Sequence, residues 1–358
     1  CSSSTISATA GNNPITFNAL AEGTYDNCTI SVTDNTSNTS DNLSVSSFTI
    51  DITTPTLSSV TIASNNSVST LAKTGNIITL SITSAEAIQT PSVSIAGQNA
   101  TVTGSGTSWS AAYTMTNSNS EGSVSLNIGF SDLAGNAGSA VTSTTNGSAV
   151  QFDRTAPTLS SVTIASNNSV STLAKTGDNI TLSITSSEAI QTPIVSIAGQ
   201  AATVTGDNMT WSATYKMAGS DSEGSVSLNI GFSDLAGNAG SAVDNTTNGS
   251  AVQFDRTAPD LDVVTAVPTP TADNASRYTF SSDEAGTITY GGSCSSDDNT
   301  SVVGDNTITF DALADDTYSN CTITVTDNAS NPSNNLQVSS FTIGRLTPAL
   351  AEVTPVPT

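Results

Sequence analysis

The stretch Asn179-Ile-Thr-Leu-Ser-Ile-Thr-Ser186 places an aliphatic side chain at every second position, at Ile180, Leu182 and Ile184. This alternation is typical of a β-strand with one buried and one solvated face. The neighbouring alternating runs include Val162 and Ile164, Ile194 and Ile197, Trp211 to Met217, Val226 to Phe232, and Val252 with Phe254. About seven short strands in roughly 100 residues, without helical periodicity, predict a two-sheet antiparallel β-sandwich of the immunoglobulin-like kind.

This strand pattern occurs twice, because residues 54–157 and 156–259 are nearly the same sequence at a period of 102 residues. Thr-Pro-Thr-Leu-Ser-Ser-Val-Thr-Ile-Ala-Ser-Asn-Asn at Thr54–Asn66 recurs at Ala156–Asn168 with one change. A second repeat flanks this pair, since the sequence from Cys1 to Asp34 is similar to the sequence from Cys294 to Asp327. Self-similarity at a fixed period is typical of arrays whose function depends on length.

The two repeats predict an all-β chain of tandem modules. The segments are the C-terminal part of a cysteine-type module at 1–52, cysteine-free modules at 53–155 and 156–257, a complete cysteine-type module at 258–346, and the first strand of a further module at 347–358. The linkers, such as Phe152-Asp-Arg-Thr-Ala-Pro157, are short and end in proline, which fixes the backbone. We therefore expect the modules to form an elongated, semi-rigid rod.

The composition argues against several classes of partner. Thirty acidic residues against seven basic ones give a net charge of −23, which disfavours nucleic acid as a partner. No apolar run approaches the roughly 20 residues of a membrane span, so we expect no membrane insertion.

The four cysteines fall into two pairs with the same spacing of 27 residues. This spacing predicts the disulfides Cys1–Cys28 and Cys294–Cys321, formed in an oxidising compartment, with reduced buried thiols as the alternative. We therefore expect an extracellular or cell-surface protein.

The residues that catalysis needs are scarce. The chain has no histidine, no serine in a Gly-x-Ser-x-Gly motif and no phosphate-binding loop of the Gly-x-x-x-x-Gly-Lys type. A nucleophile with its base, or a metal with an open coordination position, is the usual requirement for an active site. The sequence therefore predicts a protein that is not an enzyme.

Acidic residues recur in register and suggest a metal site. Glutamates follow an early strand, aspartates lie in a late loop, and further aspartates precede the linkers: Glu86 and Glu188, Asp132 and Asp234, Asp153 and Asp255. In the cysteine-type module Glu284 and Asp327 recur in register with the first two sets. Convergence at one pole of a module would give oxygen ligands that suit calcium. The alternatives are Asx turns in Asp-Leu-Ala-Gly-Asn and pairing of Asp153 with Arg154.

Several motifs carry a family resemblance over essentially the whole chain. Gly-Asp-Asn-Ile-Thr-Leu followed by Ser-Glu-Ala-Ile, Phe-Ser-Asp-Leu-Ala-Gly-Asn, and Phe-Asp-Arg-Thr-Ala-Pro resemble the bacterial immunoglobulin-like repeats of very large surface adhesins. The resemblance implies stalk modules stiffened by calcium at boundaries marked by Asp153 and Asp255. Arg154 and Arg256 depart from the usual boundary Asp-Thr-Thr-Ala-Pro, whereas Asp51-Ile-Thr-Thr-Pro55 is closer to it.

The leading hypothesis is thus a spacer in a secreted or cell-surface bacterial adhesin, whose partners are neighbouring modules, with any glycan or receptor bound outside this chain. The first alternative is a subunit of an extracellular filament or sheath, joined to copies of itself when residues 347–358 are donated as a strand. The second is a carbohydrate-binding module that uses Trp109 or Trp211, although a lone tryptophan on an inward strand position favours a core role.

Overall fold

The structure is a computed structural model that describes residues 1–4 and 6–344. Within this range the chain forms β-strands and turns, with no helix long and apolar enough to cross a membrane. The chain divides into two compact units, one of residues 1–155 with 235–238 and one that begins at residue 156 and holds the rest. The strand predicted at 347–358 lies outside the described residues.

The N-terminal segment of the first unit has four short strands. They are β1 (Gly23–Tyr25), β2 (Thr29–Ile30), β3 (Leu43–Ser44) and β4 (Phe48–Ile50). Antiparallel pairs join β1 to β4 and β2 to β3, and the rings of Phe17 and Tyr25 stack on Phe48. Apolar side chains such as Val32 and Leu43 are exposed, at 49% and 68%. This segment therefore buries only part of its apolar surface.

The first cysteine-free module adds ten strands to this unit. They are β5 (Leu57–Ser64), β6 (Leu71–Ala72), β7 (Ile77–Ser84), β8 (Ser92–Ile95), β9 (Gln98–Asn99), β10 (Thr101–Ser105), β11 (Ser108–Thr114), β12 (Gly122–Ser123), β13 (Leu126–Gly129) and β14 (Gln151–Phe152). Their sheets have the orders β10-β11-β7-β5, β13-β8-β9 and β12-β14-β6. The number exceeds the seven predicted because several strands are only two residues long.

One strand pair in this module is parallel, which the antiparallel prediction did not include. Leu71 in β6 lies beside Gln151 in β14, and the two strands run in the same direction. The cause is a crossing of the chain between sheets, since β5 pairs with β7 while β6 joins the sheet of β14.

The second unit starts with the second cysteine-free module, which repeats these elements. They are β15 (Leu159–Ser166), β16 (Leu173–Ala174), β17 (Asn179–Ser186), β18 (Ile194–Ile197), β19 (Gln200–Ala201), β20 (Thr203–Asp207), β21 (Thr210–Lys216), β22 (Gly224–Ser225), β23 (Leu228–Gly231) and β24 (Gln253–Phe254). Ile180, Leu182 and Ile184 on β17 are buried, as their alternation predicted. Trp211 lies opposite Ile184 and is 9% exposed, and its indole Nε1 donates to Asn208 O. This ring is part of the core.

The cysteine-type module completes the unit with nine strands. They are β25 (Leu261–Thr265), β26 (Arg277–Ser282), β27 (Gly286–Gly291), β28 (Thr300–Ser301), β29 (Gly304–Thr309), β30 (Thr317–Tyr318), β31 (Thr322–Asp327), β32 (Leu336–Gln337) and β33 (Phe341–Thr342). Tyr278, Phe280 and Phe310 belong to its core, where the disulfide Cys294–Cys321 is also buried. The disulfide Cys1–Cys28 is formed as well, so both predicted disulfides are confirmed.

Candidate metal sites at module junctions

A five-residue turn positions each late aspartate. In Asp132-Leu-Ala-Gly-Asn136 the Asp132 Oδ1 accepts hydrogen bonds from the backbone N–H groups of Gly135 and Asn136, and Oδ2 accepts one from Asn136 Nδ2, at 2.7–2.8 Å. Gly135 has φ +100°, in the left-handed region that glycine adopts without strain. The predicted Asx turn is therefore present. It also fixes the direction of a carboxylate that is only 1% exposed.

The first unit brings Asp132 together with two other acidic residues. Oxygen atoms of Asp51, Glu86 and Asp132 all lie within 4.8 Å of one another. Glu86 follows the end of β7, where Ser84 Oγ donates to its backbone carbonyl. The linker residue Asp51 is held to the turn because Asn136 Nδ2 donates to Asp51 O at 3.0 Å.

The second unit contains the same arrangement with different residues. Oxygen atoms of Asp255, Glu284 and Asp327 also lie within 4.8 Å of one another. Asp327 accepts hydrogen bonds from the backbone and side chain of Asn331, and Asn331 Nδ2 also donates to Asp255 O at 3.1 Å. Each of the two clusters therefore combines one linker aspartate with two carboxylates of the module that follows.

These clusters correct part of the predicted grouping. The sequence placed Glu86 and Asp132 with the aspartate at the end of their own module, Asp153, whereas the structure places them with Asp51 of the preceding linker. The signal for Asp51 was its own boundary motif, Asp51-Ile-Thr-Thr-Pro55. The reason is that the early-strand end and the late turn lie at the pole where the chain enters the module.

Asp255 is one of the predicted ligands, whereas its partners Glu284 and Asp327, which recur in register, lie outside the predicted set. By sequence, Asp153, Glu188 and Asp234 are the equivalents of the residues in both clusters. Asp153 belongs to the first unit, and Glu188 and Asp234 to the second. A metal site formed by these three stays a prediction.

The donor chemistry of the clusters fits a hard divalent cation. The three residues of each cluster all offer carboxylate oxygens. Calcium takes oxygen ligands at about 2.3–2.6 Å, so two ligand atoms of one ion lie up to roughly 5 Å apart. The separation within each cluster, at most 4.8 Å, is inside that limit.

The electrostatics of the second cluster favour such a cation. Burial, with the negative charges of Asp255 and Asp327, raises the pKa of Glu284 to about 7. Burial also raises the pKa of Asp255, to which the charge of Asp327 adds. In the first unit, burial of Asp132 acts in the same direction, but hydrogen bonds from Asn136 outweigh it and lower the pKa of Asp132. The second cluster thus concentrates negative charge that a bound cation would neutralise.

This pKa of Glu284 has a consequence for stability. Because the folded-state pKa is above the usual 4.5, ionisation of Glu284 costs stability at pH values above about 7, and the cost vanishes as the pH falls towards 4.5. In chelator we expect the cysteine-type module to gain roughly 1–2 kcal/mol between pH 8 and pH 5, after solvent screening is allowed for. Urea unfolding at both pH values measures this gain. Glu284→Gln should remove the gain, and an equal gain in that variant would contradict the assignment.

Each linker is also bonded by a glutamate of the module that precedes it, and these glutamates are not among the predicted site residues. Glu223 Oε1 accepts hydrogen bonds from the backbone N–H of Arg256 and the hydroxyl of Thr257, at 2.9 and 2.7 Å. The Thr257 hydroxyl and the Arg256 N–H lower the pKa of Glu223. Arg256 Nε also lies 3.7 Å from Glu223 Oε1 as an ion pair. The arginine in the boundary motif therefore has a local partner.

The first unit repeats this clamp at both of its linkers. Glu121 makes the equivalent bonds to Arg154 and Thr155, and Glu22 accepts a hydrogen bond from the Thr53 hydroxyl at 2.8 Å. The only sequence signal was the spacing of 102 residues between Glu121 and Glu223.

The two tryptophans are not members of these clusters. Trp109, like Trp211, is 9% exposed, and its indole Nε1 donates to Gly106 O. Both rings pack in their module cores. Carbohydrate binding through these rings therefore gains no support from their position.

No protein-family model matches the chain, and no curated protein matches it. Among solved structures, the I67–I69 fragment of the I band of titin is similar with a TM-score of 0.37 and 10% identity, over 82% of this chain and 97% of that one. The D1–D4 ectodomain fragment of ICAM-5 has a TM-score of 0.33 and 15% identity, over 79% and 75%. Similarity at this level carries no information about what the chain binds.

Proposed function

We propose that the chain is a non-catalytic spacer built from immunoglobulin-like modules whose junctions are held stiff. The observation that carries this proposal is that linkers are bonded to both flanking modules. In the second unit, Glu223 of the preceding module holds Arg256, and Asn331 of the following module holds Asp255. In the first unit, Glu22 and Asn136 act in the same way on residues 51–53. A linker fixed from both sides restricts the bending that short interdomain contacts usually allow.

The proposed setting is the extracellular face of a bacterial cell, as part of a surface adhesin. Two disulfides support an oxidising compartment. The motifs that resemble adhesin repeats support the type of parent protein, and the adhesive contact itself would belong to other regions.

We further propose that calcium binds at the junctions. Asp51, Glu86 and Asp132 would hold one ion, and Asp255, Glu284 and Asp327 another. A bound ion would neutralise the repulsion among the carboxylates and link the linker to the following module. Because each cluster combines a linker residue with module residues, binding would stiffen the junction as well as stabilise the fold.

Small-angle X-ray scattering of the full chain tests the spacer role. A compact chain of this length would have a radius of gyration of about 21 Å, and we expect roughly 35 Å or more for a spacer. The profile should be independent of protein concentration and should expand further with millimolar calcium than with chelator. A radius of gyration close to 21 Å in calcium would contradict the proposal.

The same experiment addresses the second candidate, a filament subunit. The observation that favours it is the exposure of apolar side chains such as Val32 and Leu43 in the N-terminal segment, where a strand from another copy would find an open surface. The proposed donor, residues 347–358, lies outside the described residues. Concentration-dependent growth of the scattering mass, abolished by deletion of residues 347–358, would favour the filament over the spacer.

A further inference from the structure

We infer that each cysteine-free module carries a second docking surface for the module that follows it, separate from the acidic cluster. We name this surface the Asn–Lys latch and define it by Asn168 and Lys175 in the second unit. Asn168 Nδ2 donates to Ala329 O at 2.9 Å, and Lys175 Nζ donates to Ser330 O at 2.6 Å. The latch thus binds two consecutive carbonyls of the turn that also carries Asp327. Its role as a junction lock rests on the proposed spacer function.

An acidic side chain positions both latch residues. Asp178 Oδ2 accepts hydrogen bonds from Asn168 Nδ2 at 2.8 Å and from the backbone N–H of Lys175 at 2.9 Å. On the other side, Ser330 has φ +76°, and its backbone N–H donates to Asp327 O at 3.2 Å. Both partners are therefore fixed by local bonds before they meet, which limits the entropy lost on contact.

The first unit repeats the contact, which makes an accidental arrangement a poor explanation. There Asn66 Nδ2 donates to Ala236 O at 2.8 Å and Lys73 Nζ donates to Gly237 O, both with residues 235–238 that belong to this unit. Asn76 takes the place of Asp178 and holds Asn66 Nδ2 and the Lys73 N–H through its Oδ1. The latch therefore does not depend on the charge of the positioning residue.

The partner of the latch is a turn of the form Asp-x-Ala-Gly/Ser-Asn. Such turns occur in both module types, at 132–136, 234–238 and 327–331. The Asn–Lys donor pair does not occur in both module types. The three lysines of the chain are Lys73, Lys175 and Lys216, and residues 258–346 contain no lysine. In the second unit a cysteine-free module therefore latches onto the cysteine-type module that follows it, and in the first unit the same donors bind the turn residues Ala236 and Gly237. A complete cysteine-type module offers no lysine to the module after it, so the junction that follows it would lack the latch and depend on the linker bonds and the acidic cluster.

The latch also differs from the acidic cluster in its chemistry. It uses neutral carbonyl acceptors and a protein cation, so it does not require a metal ion. We therefore expect the junction after a cysteine-free module to stay ordered in chelator.

Pulsed electron–electron double resonance on the full chain tests the latch. Spin labels on noncanonical amino acids at the exposed positions Thr214 and Asp305 report the distance across the junction within the second unit, without use of cysteine. In chelator we expect a narrow distribution for the parent chain and about a twofold broader one for Asn168→Ala with Lys175→Ala, because an unlatched junction moves as ordinary linked domains do. The matched control is Lys216→Ala, which removes an exposed lysine of the same module and should leave the width unchanged.

Two results would overturn the latch: an unchanged width in the double variant, or equal broadening in Lys216→Ala. Circular dichroism melting of each variant shows that the modules stay folded, and the single variant Lys175→Met serves if the double variant does not fold. A compact scattering profile with latch-dependent widths would contradict the spacer role alone. An extended profile with equal widths would contradict the latch alone.

Discussion

Replacement of Cys294 and Cys321 by alanine is expected to lower the free energy of unfolding of the cysteine-type module by about 3.5 kcal/mol. The disulfide closes a segment of 27 residues, and its loss restores conformational freedom to the unfolded chain. Both cysteines are buried, at 5% and 1% exposure, within the cluster that contains Phe310 and Phe341. The smaller alanine side chains therefore also lose packing contacts in this core.

Hydrogen exchange of backbone amides in β31 and in β17, recorded at increasing urea concentration, measures this loss separately for the two modules of the second unit. Amides of Thr322–Asp327 should lose protection in the variant, while those of Asn179–Ser186 in the cysteine-free module serve as the internal control. A loss below about 1 kcal/mol would mean that the module core, and not the covalent link, provides the stability.

Calcium is expected to raise the melting temperature of the chain by several degrees. A ligand that binds only the folded state at 100 times its dissociation constant adds about 2.7 kcal/mol for each site. The gain should be larger here at pH 8 than at pH 5, because protonation of Glu284 competes with the cation. Calorimetric melting in millimolar calcium and in chelator measures the gain.

Glu284→Gln and Asp283→Asn form a matched pair of variants for this prediction. Both remove one negative charge from adjacent positions. Only Glu284 belongs to the cluster with Asp255 and Asp327, and the charge of Asp283 raises the pKa of Glu284 less than theirs do. Glu284→Gln should melt higher than the parent chain in chelator, since repulsion is relieved, and should gain less from calcium. Equal melting temperatures of the parent chain in calcium and in chelator would refute the sites.

The fold could be predicted from the sequence because its signals are local. The period-2 alternation at Ile180, Leu182 and Ile184 places the buried face of β17 without knowledge of its neighbours. The parallel pair of β6 and β14 was missed because its residues, such as Leu71 and Gln151, are 80 positions apart and carry no turn signal between them. Strand direction across such a distance depends on where the chain changes sheets.

The sequence predicted that acidic residues form the candidate sites, but it predicted only in part which of these residues lie together. Register along the repeats predicts Glu86 and Asp132 as ligands, but it does not tell which pole of the module they occupy. It therefore grouped them with Asp153, whereas the structure groups them with Asp51. The sequence contains even less information about the Asn–Lys latch than about the acidic clusters. Lys175 and Ser330 are 155 residues apart, and the sequence showed only that lysines recur at the repeat period.

The most direct test of the cation-linked junctions is isothermal titration calorimetry of calcium into the full chain and into the double variant Glu86→Gln with Glu284→Gln. These substitutions alter one ligand in each of the two described clusters and leave the aspartate turns intact. We expect saturable binding by the parent chain and a stoichiometry lower by two ions in the variant. Identical binding curves for the two proteins, or no heat of binding in either, would contradict calcium-stiffened junctions.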